Sequence, residues 1–385
     1  MPPEDSVAIL RDLVAFDTTS AKSNLALVDY LERRLASRGI ASLRVPDETG
    51  AKSNLWATIG PAGVPGIVLS GHTDTVPVEA QAWSSDPFTL TLREGRLYGR
   101  GACDMKGFLA VMLAMLPEML ARPLSIPIHL AFSYDEEVGC LGAPRLIDRL
   151  RADGIRPLAC IVGEPTSMQV VTAHKGKRSL RVEVTGRTCH SSLAPSGVNA
   201  VEYAARAIVH IAEIGRRLAQ GRHDDLFDVP VSTAHTGTIR GGTVLNIVPE
   251  ACTFEFEFRC LPGEDVDALV AEVVAYARDT LETAMKVVAP EAGFTFIDRS
   301  HFPGLDTAPE APATLLAKAL ARRNDHAKVA YGTEAGLFHE AGIPTIVCGP
   351  GSIEQAHKPD EFIDPAQLAA CEAFMRRLID HCAAG

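Results

Sequence analysis

The chain has 385 residues, 46% of them hydrophobic and 22% charged, with 37 Lys+Arg against 48 Asp+Glu and a formal net charge of -11. That length suits two domains around a large core, and the acidic balance offers no basic surface to a nucleic-acid partner. The longest apolar stretch, Phe108 to Leu116, falls well short of the roughly 20 residues a membrane span needs, so no membrane partner is expected.

The amino-terminal Met1-Pro2-Pro3-Glu4-Asp5 is acidic and lacks the charged and apolar regions of a signal peptide, and the nine cysteines follow no paired spacing such as Cys-x-x-Cys. Both features lead us to expect reduced thiols in a cytoplasmic protein. Helix and strand signals then alternate. Asn24 to Arg38 is amphipathic and stops before Gly39, a residue suited to the left-handed position after a helix. The run Ile67-Val68-Leu69-Ser70-Gly71 leads to His72-Thr73-Asp74. A glycine-rich turn, Gly99-Arg100-Gly101-Ala102-Cys103-Asp104, precedes a helix expected over Met105 to Leu120. Ile128 to Tyr134 runs into Asp135-Glu136-Glu137, and Ala159 to Gly163 into Glu164-Pro165. Short apolar runs read as strands buried on both faces, and their alternation with helices argues for a mixed, mostly parallel sheet flanked by helices.

The pattern changes near residue 179. Leu180, Val182 and Val184 alternate with Arg181, Glu183 and Thr185, as in a half-exposed strand. A helix over Asn199 to Ala219 follows, then two strand candidates. The second, Thr253 to Cys260, sets Phe254, Phe256 and Phe258 against Glu255, Glu257 and Arg259. A helix from Glu264 to about Val287 completes the order β-α-β-β-α. An inserted α+β domain is therefore expected over 179–288, splitting an α/β domain into 1–178 and 289–385. In the last part, Thr345-Ile346-Val347-Cys348 leads through a turn to His357.

His72, Asp104, Glu137, Glu164 and His357 thus each follow an apolar run or a glycine-rich turn. Two imidazoles and three carboxylates suit a pair of borderline divalent ions, zinc first, with cobalt fitting the same donors. Each position has a plainer reading: a surface turn for His72-Thr73-Asp74, a solvated acidic turn for Asp135-Glu136-Glu137, a surface acid at Glu164 and a loop histidine at His357. A phosphate loop is rejected, because Asp104 stands where Gly-x-Gly-x-x-Gly needs its last glycine. Asp74, two residues after His72, can hold that imidazole's second nitrogen. Glu136 stays free to take a proton from water while Glu137 serves as ligand. Cys103 reads as a small buried hydrophobe.

With these segments in order, the chain resembles the dinuclear zinc peptidase and deacylase family that includes carboxypeptidase G, aminoacylase and succinyl-diaminopimelate desuccinylase. The resemblance is carried by Ser70-Gly71-His72-Thr73-Asp74-Thr75-Val76-Pro77, by Tyr98 to Gly107, by Ser133 to Cys140, and by Val162-Gly163-Glu164-Pro165-Thr166. His174-Lys175-Gly176, Cys189-His190-Ser191-Ser192, Gly332-Thr333-Glu334-Ala335-Gly336 and His357-Lys358-Pro359-Asp360-Glu361 complete it.

The resemblance implies a zinc-peptidase-like catalytic domain and a ferredoxin-like lid and dimerisation domain, forming a homodimer. It implies that Asp104 bridges two zinc ions, with His72 and Glu164 around one and Glu137 and His357 around the other. Glu136 becomes the general base and later the acid. His190 polarises the scissile carbonyl in the partner subunit's site, and a non-proline cis peptide follows Asp104. Asn246, Arg259, Gly332 and Thr333 meet the substrate, Arg259 through its carboxylate. The expected reaction is amide hydrolysis, with N2-acetyl-L-ornithine as substrate and arginine biosynthesis as setting. Succinyl-diaminopimelate and other N-acyl amino acids are the rivals. Glu334, next to Thr333, is expected to read ornithine's cationic side chain. A non-catalytic dimeric scaffold is the alternative from another class, and the presence of all five ligands and Glu136 weighs against it.

Overall fold

Four runs of consecutive buried residues build the centre of the sheet. In the computed structural model, which describes residues 5–384, Ile67–His72, Ile128–Ser133, Ala159–Pro165 and Thr345–Gly349 are each buried along their whole length. The amino-terminal Met1–Glu4, read above for a targeting segment, lie outside the described residues. Ile67–His72 pairs in parallel with Ile128–Ser133 on one side and Ala159–Pro165 on the other, and Thr345–Gly349 pairs in parallel with Ala159–Pro165. Antiparallel strands extend this centre, Ser53–Ile59 beside Ile128–Ser133 and Ser42–Pro46 beyond it, within a nine-stranded sheet. The expected mixed sheet flanked by helices is therefore present, parallel at its centre where both faces are covered.

The helices Ser6–Val14, Leu25–Ala36, Gly107–Ala114 and Pro365–Ala384 contribute buried leucines, methionines and phenylalanines to one core. Each fully buried side chain of this kind stabilises the fold by roughly 1.5–3 kcal/mol. The helix expected over Met105 to Leu120 is broken at both ends. Asp104 and Met105 have non-helical dihedrals and a cis peptide bond joins them, so the regular helix begins at Gly107. Pro117 has no N–H for the carbonyl of residue 113, and a new short helix, Leu116–Leu120, starts with that proline in its first turn.

The chain divides into two compact units, 1–173 with 305–328 and 333–385, and 174–304 with 329–332. The second unit holds an antiparallel sheet in the order Thr233–Gly241, Ala251–Cys260, Gly176–Thr185, Gly293–Phe302. Leu180, Val182, Val184, Phe254, Phe256 and Phe258 fill its core. Its helices start at side-chain caps: Asn199 accepts from the N–H groups of Val201 and Glu202, and Asp265 from Ala268. The boundary expected at residue 288 is too early. Gly293–Phe302 is a fourth strand that pairs with Gly176–Thr185, and the unit runs to Gly304. The alternation of Phe294 and Phe296 with Thr295 and Ile297 was too weak a signal, because Ile297 is also apolar.

Candidate metal centre

Two of the predicted ligands sit on neighbouring parallel strands of the first unit. His72 closes Ile67–His72 and Glu164 lies near the end of Ala159–Pro165, so pairing alone brings both to the carboxyl edge of the sheet. Both are buried, at 1% and 4% exposed. His72 Nε2 lies 3.1 Å from Asp104 Oδ1 and 3.8 Å from Glu164 Oε1. Its Nδ1 is 3.0 Å from the backbone carbonyl of Asp74 and 3.6 Å from that residue's carboxylate. The carbonyl is the better acceptor by distance, and Nε2 faces the cluster. The Asp74 carboxylate stays within ion-pair reach of Nδ1. It also accepts from Ser20 Oγ at 2.7 Å and from the N–H groups of Glu136 and Glu137 at 3.1 and 3.3 Å. Asp74 therefore anchors the backbone that carries Glu136 and Glu137.

The other three predicted ligands sit in loops. Gly101, at φ 77°, opens the turn that carries Asp104, and an added Cβ there would lie 2.6 Å from Thr75 Cγ2. Glu361 holds this turn by accepting from the N–H groups of Gly101, Cys103 and Asp104 at 3.0, 2.8 and 3.0 Å. Its carboxylate also pairs with Arg100 at 2.7 Å, both side chains being 1% exposed. Glu137 follows Asp135, whose carboxylate is held by Lys52. His357 has φ 65° and a side chain 54% exposed. Its Nε2 lies 2.9 Å from Glu137 Oε2 and 3.4 Å from Asp104 Oδ2.

The two oxygens of Asp104 thus face two different histidines, which is the disposition a bridging carboxylate needs. Candidate ligand atoms of His72, Asp104 and Glu137 lie within 4.8 Å of one another, as do those of His72, Glu136 and Glu164. Glu136 stands within reach of a ligand position. Among the described residues its side chain makes one long hydrogen bond, 3.4 Å from Cys140 Sγ, which leaves it free for proton transfer.

The electrostatics favour added cations. Burial, aided by Asp104, pushes Glu137 up to about 7 and Glu164 well above the usual carboxylate range. Burial, with Glu137 and Asp104 adding to it, pushes Glu136 up to about 8. Although burial acts against it, hydrogen bonding to His357 and His72 holds Asp104 below its ordinary value. Hydrogen bonding to Asp104 and Glu137 raises His357 to about 10. Among the described residues, no lysine or arginine pairs with Asp104, Glu136, Glu137 or Glu164. The buried Oε1 atoms of Glu137 and Glu164 have no hydrogen-bond partner among the described residues. A buried carboxylate oxygen left unmatched is costly, and a donor set of imidazoles and carboxylates around two such oxygens fits a pair of divalent ions.

The predicted residues of the second unit are placed differently. His190 is exposed, and its Nδ1 accepts from the Ser192 N–H at 3.2 Å, leaving the proton of the neutral ring on Nε2. Its segment bridges to Ile247, and the Asn246 carbonyl accepts from Ser191 N at 3.0 Å, so these two candidates are neighbours. Arg259 donates from Nε to Glu257 at 2.8 Å. Gly332 leaves no room for a side chain, since a Cβ would meet Phe302 Cε2 at 2.1 Å. In the first unit Thr333 is buried, and its hydroxyl accepts from Ala335 N at 3.0 Å.

Glu334 is a correction. The chain buries it completely, and its carboxylate accepts from Ser70 Oγ and Ser133 Oγ, each at 2.6 Å. Adjacency to Thr333 suggested a substrate contact, but the first turn of the Ala335–Glu340 helix directs this side chain toward the two strands. Sequence reasoning missed Glu361 and Arg100, whose partners are about 260 residues away in the chain. A buried acid facing a run of loop N–H groups is invisible until the two segments meet.

A family model described as peptidase family M20/M25/M40 matches residues 68–381. A Proteus mirabilis protein named acetylornithine deacetylase is 36% identical over 97% of this chain and 96% of its own. One of the same name from Myxococcus xanthus is 35% identical over 98% and 97%. Among solved structures, an M20 family metallo-carboxypeptidase from Sulfolobus solfataricus aligns with a TM-score of 0.79 at 17% identity, over 99% of this chain and 100% of that one. A Bacillus subtilis dinuclear metal binding peptidase of the M20 family aligns with a TM-score of 0.67 at 16% identity, over 97% and 96%. At such identities the structures speak for the fold alone.

Proposed function

Because the chain belongs to peptidase family M20/M25/M40, it is a metal-dependent hydrolase of linear amides, and we propose that it removes acetate from N2-acetyl-L-ornithine to give L-ornithine, a step of arginine biosynthesis. The observation that carries this substrate is the similarity, over nearly the full length of both chains, to several proteins bearing that enzyme's name. We assign the site to two zinc ions, with cobalt able to replace them. Asp104 would bridge them, His72 and Glu164 would hold one, and Glu137 and His357 the other. Such ions supply positive charge that makes water more acidic and polarises the acyl carbonyl.

The chain's own residues perform the remaining work. Glu136 accepts a proton from the attacking water at its carboxylate as the water oxygen bonds to the acyl carbon. It returns that proton to the departing amine nitrogen when the C–N bond breaks, and the remaining hydroxyl proton passes from the new acid to the amine, giving carboxylate and ammonium. Asp74 keeps Glu136 in place through the backbone N–H. His190, protonated on Nε2, donates to the developing oxyanion from a partner subunit of a homodimer. Arg259 and Asn246 bind the substrate's polar groups, with backbone at Gly332 and Thr333 beside them. A cytoplasmic location fits nine free cysteines, eight of them buried.

A panel of acetylornithine, succinyl-diaminopimelate, acetylcitrulline and acetylmethionine, assayed with zinc or cobalt, tests the substrate. The highest kcat/KM is expected for acetylornithine. A higher value for the succinyl substrate would reject the assignment. Because Glu334 is buried, no acidic residue next to Thr333 now weighs against a succinyl carboxylate, which makes that arm decisive.

A further inference from the structure

His357 is held differently from the other ligands. It lies outside regular structure, in the left-handed backbone region, and its side chain is half exposed. The direction of its Nε2 therefore depends on what fixes the local backbone. Its carbonyl accepts one hydrogen bond, 3.0 Å from Gln81 Nε2, and no other for that carbonyl is seen among the described residues.

Gln81 is itself well seated. Its Oε1 accepts from Trp83 Nε1 at 3.1 Å and from Arg100 Nη2. Arg100 also donates from Nη1 to the Lys358 carbonyl at 3.3 Å and to Glu361 Oε2 at 2.7 Å, with its guanidinium carbon 5.0 Å from the Trp83 ring centre. Glu361 in turn holds the Asp104 turn. Three segments, around residues 81, 100 and 357, are thereby cross-linked, and within this cross-link it is the amide N–H₂ of Gln81 that reaches the backbone of His357.

We propose that Gln81 is a positioning residue for one half of the metal centre, setting the affinity of the ion held by His357 and Glu137 while leaving the ion at His72 and Glu164 unaffected. The inference rests on the two-ion reading above. Gln81 touches neither substrate nor ion: it acts through the backbone of His357. An amide is suited to this because it donates and accepts at once. Glutamate at this position keeps the acceptor for Arg100 and Trp83 but loses the donor to His357. Leucine loses both.

The test is a titration of the full-length, metal-stripped chain with Zn²⁺ against a competing chelator, using the native chain, Gln81→Glu, Gln81→Leu, His357→Ala and the double variant Gln81→Glu/His357→Ala. We expect two equivalents in the native chain. One should weaken about three- to tenfold in both Gln81 variants, the range that a single exchanged hydrogen bond spans, and the other by less than twofold. The weakened equivalent should be the one lost in His357→Ala, and on that background Gln81→Glu should have no further effect. Equal weakening of both equivalents, no weakening, or an effect that persists without the His357 imidazole would overturn the inference. A native chain that takes up fewer than two ions would overturn the two-ion reading and this inference with it.

Discussion

The two halves of the candidate metal centre are built by different means. His72 and Glu164 project from adjacent parallel strands whose pairing is fixed by the core beneath them. Asp104, Glu137 and His357 sit on loops, and each loop has its own anchor: Glu361 for the Asp104 turn, Asp74 and Lys52 for the segment of Glu136 and Glu137, and Gln81 for His357. Strand pairing positions a ligand at no added cost, because the hydrogen bonds that place it also stabilise the sheet. A loop ligand needs buried polar partners, each of which must itself be satisfied. The difference teaches where this centre is vulnerable: damage to the loop half should come from residues that never touch an ion.

The largest effect should come from Glu136, the loop acid proposed as the base. Glu136→Gln removes the base without removing a donor from either ion, so kcat should fall on the order of 10²- to 10⁴-fold, the usual weight of general acid–base catalysis. Metal content by elemental analysis should stay at the native value. Loss of bound metal from this variant would move Glu136 into the ligand set, which its position near His72 and Glu164 makes a real alternative.

Next comes the anchor of the Asp104 turn. Glu361→Gln leaves the buried Arg100 guanidinium uncompensated, and removing one partner of a buried pair costs about 3–5 kcal/mol. Urea denaturation of the metal-stripped chain should register a loss of that order. A loss below about 1 kcal/mol would mean that the turn is held by its own glycines and that the contrast between the two halves has been overdrawn.

Beneath the strand half, the smallest effect is expected at Glu334. Glu334→Gln keeps a hydrogen-bonding group between Ser70 and Ser133, so the ratio of kcat/KM for acetylornithine over acetylmethionine should be unchanged. A selective loss on the cationic substrate would restore the contact that the buried position argues against. Burial raises this carboxyl from its ordinary 4.5, against the pull of the two hydroxyls. The folded chain thus keeps the proton where the unfolded chain has lost it, and stability falls as pH rises from about 4.5 through the folded value. Glu334→Gln should flatten that part of the stability–pH curve.

The same contrast explains what could be read beforehand. Ile67 to Gly71 and Ala159 to Gly163 announce buried strands by composition, and a ligand at the end of each needs no knowledge of the rest of the chain. Asp104 was legible from its glycines, and Glu136 and Glu137 from an acidic run after a strand. The anchors were not, because Arg100 and Glu361, though inside segments that carry the resemblance, acquire this role only when those segments meet. Asp74 was legible only in part: its spacing from His72 allows the 3.6 Å side-chain approach, and only the fold reveals that Ser20 and two backbone N–H groups also use that carboxylate. The fourth strand of the second unit escaped because Ile297 interrupts an otherwise alternating pattern.

The central claim is that Asp104 joins two ions, one oxygen toward each histidine. Zn²⁺ uptake by the metal-stripped native chain and by Asp104→Ala tests it most directly. Two equivalents per native chain, with both weakened at once by this single substitution, are the predicted result. A native chain that stops at one equivalent, or a variant that keeps one of its two at native affinity, would contradict it.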